Sequence, residues 1–258
     1  MQDENDNPKS VRRKRSPNAP PVGPAKFSSP TSETIADGVY RRLRRDIVTN
    51  NLTPGTPISE KGRADIEGVS RTPVREAILR LTEEKLVEVV PKSGTFVARI
   101  PLSALPEAFV MRIALEQVTT KAAAQNATPK QISRLRQLIS QQQQIARQAD
   151  PQAFSIVDDE FHAEIARIGG YPGVWEVARL VKVQIDRCRR LTLPIDGRMK
   201  VATEEHFAVV DAIEAGDPQN AASLMENHLS NLKLDIDLIC RMWPDYFIHD
   251  LAAMETLK

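Results

Sequence analysis

Asp158 and His162 stand four residues apart in the helical stretch DDEFH, so both side chains leave one helix face about 40° apart. His206 and His228 lie in two later helical stretches, each among apolar neighbours that should face the interior of a bundle. One carboxylate and three imidazoles converging from three helices form a donor set for a divalent transition metal. Neutral imidazole suits zinc, nickel or a manganese-like ion, and the mixed oxygen and nitrogen donors do not choose among them. Taken singly, a histidine is more often a satisfied core or surface residue than a ligand, so spacing alone carries little weight.

The second group of chemistry-bearing residues is basic and lies early in the chain. In GVSRTPVREAILRL, residues 68–81, the apolar Val74, Ala77, Ile78 and Leu81 recur at helical spacing and face inward. Ser70 or Thr72 caps that helix, and Pro73 is tolerated in its first turn. Arg71, Thr72 and Arg75 are thereby left together near an exposed N-terminal end, where a recognition helix meets base edges. An arginine there offers two donors to guanine, and free helix amides attract phosphate. Two β-rich runs follow, 86–90 and 95–98, around a Pro/Gly turn. The tip of that hairpin, Lys92, Ser93, Gly94 and Thr95, is small and basic enough to follow a phosphate backbone or enter a minor groove. The alternative for each residue alone is a solvated surface.

The elements that position these groups divide the chain. Residues 1–31 are rich in proline and carry the basic run Arg12–Arg15, which suits a disordered tail with at most a non-specific attraction to phosphate. Residues 32–99 read as a winged helix-turn-helix of three helices plus a β-hairpin. Its first helix carries the stripe Ile35, Val39, Leu43 and Ile47 and ends at LTPG, residues 52–55. A short helix at 59–67 and a tight turn at Gly68 lead to the basic helix. Residues 100–103 are expected as a hinge. From 104 to 240 helical patterns run at 103–126, 129–149, 151–169, 172–192, 198–216 and 217–240, separated by proline and glycine breaks. The fold class is mainly α, with the winged domain followed by an all-helical bundle of six to seven helices. Residues 241–258 are expected as a tail or a short helix near 245–256.

Charge follows the same division. Residues 1–100 carry 18 Lys/Arg against 13 Asp/Glu, a balance of +5, and the remainder carries −4. A polyanion would meet the front half only. No apolar run approaches the ~18 residues of a membrane span, and no secretory signal opens the chain. Cys188 and Cys240 form no CxxC or short-spaced framework and read as reduced thiols, so a cytoplasmic location is expected. No glycine-rich phosphate loop, GxSxG or HExxH occurs, so an enzyme is not expected.

The front half resembles the GntR family of bacterial regulators. The resemblance rests on Tyr40–Leu43 (YRRL), LTPG, Ser59-Glu60, GVSRTPVREA at 68–77, Arg80-Leu81, Leu86-Val87 and GTFV at 94–97. It implies that Lys61, Arg71, Thr72, Pro73, Arg75 and Gly94 occupy DNA-contacting positions. The chain departs from the family pattern at Arg63 and Glu67, where leucine is usual, and at Asn51 and Lys85, where glycine is. Ile66 is expected to compensate for the lost leucines by a small rotation inward.

Residues 104–240 resemble the effector-binding FCD domain of the FadR-type branch. MRIALE at 111–116, DDEFH, Glu205-His206, Ala212-Ile213, Gly216-Asp217, Ala221-Ala222 and MENHL at 225–229 carry that likeness. It implies that Asp158, His162, His206 and His228 bind a metal that helps hold an organic acid, that Arg112 faces the cavity, and that His249 is incidental. Arg187 and Arg190 are weaker candidates for the acid, with surface ion pairs as their other reading. The helical domain would supply much of a homodimer contact, and repression relieved by ligand would be the commoner mode.

The expectation is a ligand-responsive regulator that binds a palindromic operator as a dimer, probed by duplex DNA on one side and a small carboxylate metabolite on the other. A metal-dependent hydrolase with an appended DNA-binding domain and a non-sensing architectural protein are the competing readings.

Overall fold

The computed structural model describes residues 34–249, and of Leu234 only the backbone. The expected N-terminal tail, with Arg12–Arg15, and residues 250–258 lie outside the described residues. Helix α1 (Ile35–Val48) opens on a reciprocal cap: the Asp37 amide donates to the Thr34 hydroxyl while the Thr34 amide donates to Asp37. Val39, Leu43 and Ile47 are fully buried, but Ile35 is exposed and Ala36 takes the buried place in the first turn. Helix α2 (Glu60–Glu67) is capped by the Ser59 hydroxyl and stops at Gly68, whose φ of 65° is the left-handed conformation glycine adopts without strain. Helix α3 (Arg71–Glu83) packs Val74, Ala77, Ile78 and Leu81 against α1. Strands β1 (Val87–Val90) and β2 (Gly94–Val97) pair antiparallel, Val87 opposite Val97 and Val90 opposite Gly94. Amides of Gly55 and Ile58 donate to carbonyls of Val97 and Thr95, which ties this wing to the segment before α2.

Helix α2 departs from expectation. Ile66 has not rotated inward; it is 77% exposed. Instead Arg63 reaches Asp46 of α1 at 3.2 Å and Glu67 at 2.8 Å, and Glu67 also accepts from Arg42. An ion-pair network stands where leucine packing would be. Lys85 takes the left-handed conformation of the glycine position it fills, and near the end of α1 the left-handed residue is Asn50 rather than Asn51.

The segment expected as a hinge carries strand β3 (Ile100–Pro101), a 3-10 turn follows at Leu102–Ala104, and Ile100 is fully buried. β3 pairs parallel with β4 (Phe247–Ile248). Between them run α4 (Leu105–Asn126), α5 (Pro129–Gln148), α6 (Pro151–Ile168), α7 (Pro172–Val181), α8 (Val183–Thr192), α9 (Arg198–Glu214), α10 (Pro218–Asn231) and α11 (Ile236–Met242). Four of them, α5, α6, α7 and α10, begin on proline, whose missing N–H costs nothing at the first helical position. Leu135, Leu138, Phe161, Ile165, Val209, Val210 and Met225 form the centre of the bundle. None of the described helices is long and apolar enough to cross a membrane.

The architecture is the expected one, and the described residues hold eight α-helices in this half because two expected helices are each divided. The stretch 172–192 breaks at Lys182, whose buried ammonium bonds Asp159 and Asp186. No glycine or proline marks that break. The stretch 217–240 gives way after Asn231 to a 3-10 turn before α11. After Pro244 comes a 3-10 turn and then β4, in place of a helix over 245–249. Cys188 and Cys240 are free thiols.

Gly169, at the end of α6, lets that end lie directly on α4. A Cβ there would sit 2.6 Å from the Thr119 carbonyl oxygen and 3.2 Å from Ala122 Cβ. Gly169→Ala is expected to lose about 1–3 kcal/mol of stability, read as a lower urea midpoint. An unchanged midpoint would show that the α4–α6 contact is slack.

Candidate metal centre and nucleic-acid interface

Asp158 and His162 project from α6, His206 from α9 and His228 from α10, and one donor atom from each lies within 4.8 Å of the others. All four are buried, His206 completely. The rings are held from behind. His206 Nδ1 bonds Gln142 Oε1 of α5 at 2.8 Å, and His228 Nδ1 bonds Glu205 Oε2 of α9 at 2.7 Å. His162 Nδ1 lies 2.5 Å from Glu116 Oε2 of α4, at an angle poor for a hydrogen bond, and Arg112 Nε donates to the other Glu116 oxygen at 2.6 Å. Burial would raise the Glu116 carboxyl, but Arg112 and His162 outweigh it and hold it well below the usual carboxylate range.

The Gln142 and Glu205 oxygens accept, so the His206 and His228 protons sit on Nδ1 and their Nε2 lone pairs are left facing the centre. His206 Nε2 and His228 Nε2 are 3.1 Å apart, two lone pairs with no proton between them. His162 Nε2 is buried without any hydrogen-bond partner. Burial, and then the neighbouring His228, push the His206 ring well below its ordinary value of 6.5, and burial lowers His228 as well. The three imidazole rings and a carboxylate converge on one buried point. The residues fit a divalent transition metal.

Asp158 has a further partner that sequence reasoning missed. Arg189 of α8 grips both of its oxygens, Nη2 to Oδ1 at 2.6 Å and Nη1 to Oδ2. Burial alone would raise the Asp158 carboxyl; Arg189, with the flanking histidines, holds it well below the usual range. A cavity of about 50 Å³ opens beside His228, lined in part by Arg189, Thr192, Arg198, Glu205 and Asn231.

Arg112 is buried on the far side of Glu116, and its Nη2 has no hydrogen-bond partner. Arg187 does not form a surface ion pair. It is fully buried, with Nη2 donating to the Ala98 carbonyl at 2.6 Å and Nη1 to Gln184 at 3.1 Å, while Asn50 donates to its own carbonyl. Burial draws this guanidinium down to about 10, still charged at neutral pH. Its neighbour Val183 joins the hydrophobic core of the winged domain, so α8 touches both halves of the molecule. Arg190 is half-buried and donates to the Pro151 carbonyl. His249 is exposed and outside the cluster.

On the winged domain, Lys61, Ser70, Arg71, Thr72 and Arg75 are exposed, as are Lys92, Ser93 and Gly94 at the hairpin tip; Pro73 and Thr95 are half-buried. The Ser70 hydroxyl makes no capping bond at the start of α3. Arg75 is oriented by Glu60 of α2 through two bonds of 3.2 and 3.0 Å. Lys92 and Gly94 have positive φ, 64° and 130°, which folds the tip tightly.

Comparison with known proteins agrees with both halves. The description "Bacterial regulatory proteins, gntR family" matches residues 35–97, and the FCD domain matches residues 107–231. An HTH-type transcriptional regulator in an unstable DNA locus of Streptomyces ambofaciens is 33% identical over 220 residues, 85% of this chain and 92% of that protein. The HTH-type transcriptional repressor RspR of Escherichia coli K12 is 29% identical over 216 residues, 84% and 95% of the two chains. The solved structure of E. coli McbR/YncC shares the fold, with a TM-score of 0.68 at 22% identity over 81% of this chain and 99% of that one. A winged helix-turn-helix with an exposed basic helix, followed by a helical FCD domain, places this chain in the gntR family of bacterial transcriptional regulators.

Proposed function

We propose that the protein is a repressor whose dimer binds a palindromic operator and lets go when a small organic acid binds at a metal centre in the FCD domain. The observation that carries this reading is the convergence of Asp158 and the Nε2 atoms of His162, His206 and His228 on one buried point. A regulator needs a ligand that prefers one of two domain arrangements, since equal affinity for both shifts nothing. Helix α8 supports such coupling, because Arg189 binds the Asp158 carboxylate while Val183 and Arg187 sit against the winged domain. The repressor sense follows the name of the relative RspR.

In this reading the domain limits are 32–99 and 104–240. Arg71 and Arg75 read base edges in the major groove, and Ser70, Thr72 and Pro73 bring the start of α3 against the phosphates. Lys61 and the tip residues Lys92, Ser93, Gly94 and Thr95 hold the flanking backbone. A bound metal would supply a Lewis-acidic anchor for the acid's carboxylate. Asp158, His162, His206 and His228 would hold it, with Gln142, Glu205 and Glu116 fixing the rings. The unpartnered Nη2 of Arg112 is a donor for an oxygen of the acid. Glu116 and Glu205 are engaged with the imidazoles, which favours a sensor over a hydrolase that would need a spare general base.

Replacing Arg71 and Arg75 together by alanine is expected to weaken operator binding by at least about 30-fold, from ~1–3 kcal/mol per guanine contact, with the melting curve unchanged. Undiminished operator affinity in gel-shift titration would reject this reading face. His206→Ala and His228→Ala are each expected to abolish stoichiometric metal in elemental analysis; metal retained in both would misassign the ligands. Lowered His206 and His228 pKa values mean less competition from protons, so metal should stay bound as the pH falls below 6.5. Release complete by pH 6.5 in an equilibrium dialysis series would contradict a buried neutral His206–His228 pair.

A further inference from the structure

We infer that Arg189 is the residue that grips the acid's carboxylate, and that the Asp158 side chain fills this role until a metal ion draws it away. The inference rests on the metal-centre reading and names the contact behind its preference for acids. A guanidinium forked onto both oxygens of a carboxylate is the geometry with which arginine recognises carboxylate ligands, and Arg189 already makes it with Asp158. The same two oxygens lie 3.6 Å from His206 Nε2 and 3.8 Å from His162 Nε2. A cation held by the imidazoles therefore competes with Arg189 for one carboxylate, and the two positive charges repel each other.

The charges around the site show what resolves that competition. Arg112 is matched by Glu116 and Arg198 by Asp235, while Lys182 bonds both Asp159 and Asp186, whose remaining negative charge also acts on Arg190. Glu205 bonds His228 and Asn231 and supplies one negative charge. A divalent ion set against Asp158 and Glu205, with Arg189 beside it, leaves one positive charge without a partner. That charge faces the cavity of about 50 Å³ beside His228, which suits a short-chain carboxylate. Arg198 lines the same cavity but stays paired with Asp235, and Arg112 is not part of that lining, so its unpartnered Nη2 adds at most a second contact. Arg189 is the guanidinium that metal binding sets free, so metal and acid should bind cooperatively.

The test uses the full chain with zinc as the metal probe and acetate as the carboxylate probe, comparing wild type, Arg189→Gln and Arg189→Lys. Zinc affinity is measured by chelator competition with and without acetate. Loss of the competing cation should tighten zinc binding by Arg189→Gln about tenfold. Acetate should raise the zinc affinity of the wild type and leave that of both variants unchanged. Arg189→Lys keeps the charge without the fork; should the glutamine variant fail to fold, the acetate response of the lysine variant decides alone. An acetate effect that survives in the variants, or is absent from a zinc-binding wild type, overturns the role of Arg189 and leaves the metal centre standing. A wild type that binds no zinc, nickel or manganese overturns both.

Discussion

A carboxylate stays ionised inside a helical bundle only with cations or strong donors beside it. Asp158, 1% exposed, imposes that condition on its surroundings. The cation comes from α8, whose Arg189 reaches the α6 carboxylate, and the break at Lys182 lies at the start of α8. Lys182 meets the same condition in reverse, with its own buried charge between Asp159 and Asp186. The Arg189–Asp158 and Lys182–Asp159 pairs thus tie this segment to α6.

The histidines add a second constraint, because each ring is fixed by a partner on a different helix. Gln142 belongs to α5, Glu205 to α9 and Glu116 to α4. Together with the ligands on α6, α9 and α10, these anchors draw on most of the bundle to orient three Nε2 atoms. Phe161 stacks on His206 and Trp175 on His162, so the rings are also walled by apolar surface that keeps bulk water away. Any buried imidazole needs a partner for its N–H; what sets these rings apart is that their Nε2 atoms gather around one carboxylate.

What could be read from the sequence was local. The stripe Val74, Ala77, Ile78 and Leu81 determines both the inner face of α3 and the exposure of Arg71 and Arg75, and the β-rich runs around Lys92 determine the hairpin. Asp158 and His162 share a face through helical spacing, and His206 and His228 joined them through family likeness. What could not be read depends on partners far apart in the chain. Arg189 lies in an arginine-rich stretch whose members look alike, yet it meets Asp158 while Arg187, two residues away, points into the domain seam. Glu116 lies four residues after Arg112 on α4, but its approach to His162 depends on how α4 packs against α6. The burial of Arg63 and Glu67 follows from Asp46 and Arg42 on another helix, which is why a rotation of Ile66 looked necessary and was not.

Val183 belongs by sequence to the FCD domain, yet it completes the hydrophobic core of the winged domain, next to the Arg187 side chain that closes on the Ala98 carbonyl. The two family segments are therefore not free-standing cassettes. A hybrid regulator spliced at the boundary near residue 100 would receive a reading head with a hole in its core and an unmet carbonyl at Ala98. Exchange of sensory domains between such proteins has to carry a matching surface for this one helix, which limits how freely the two halves can be recombined.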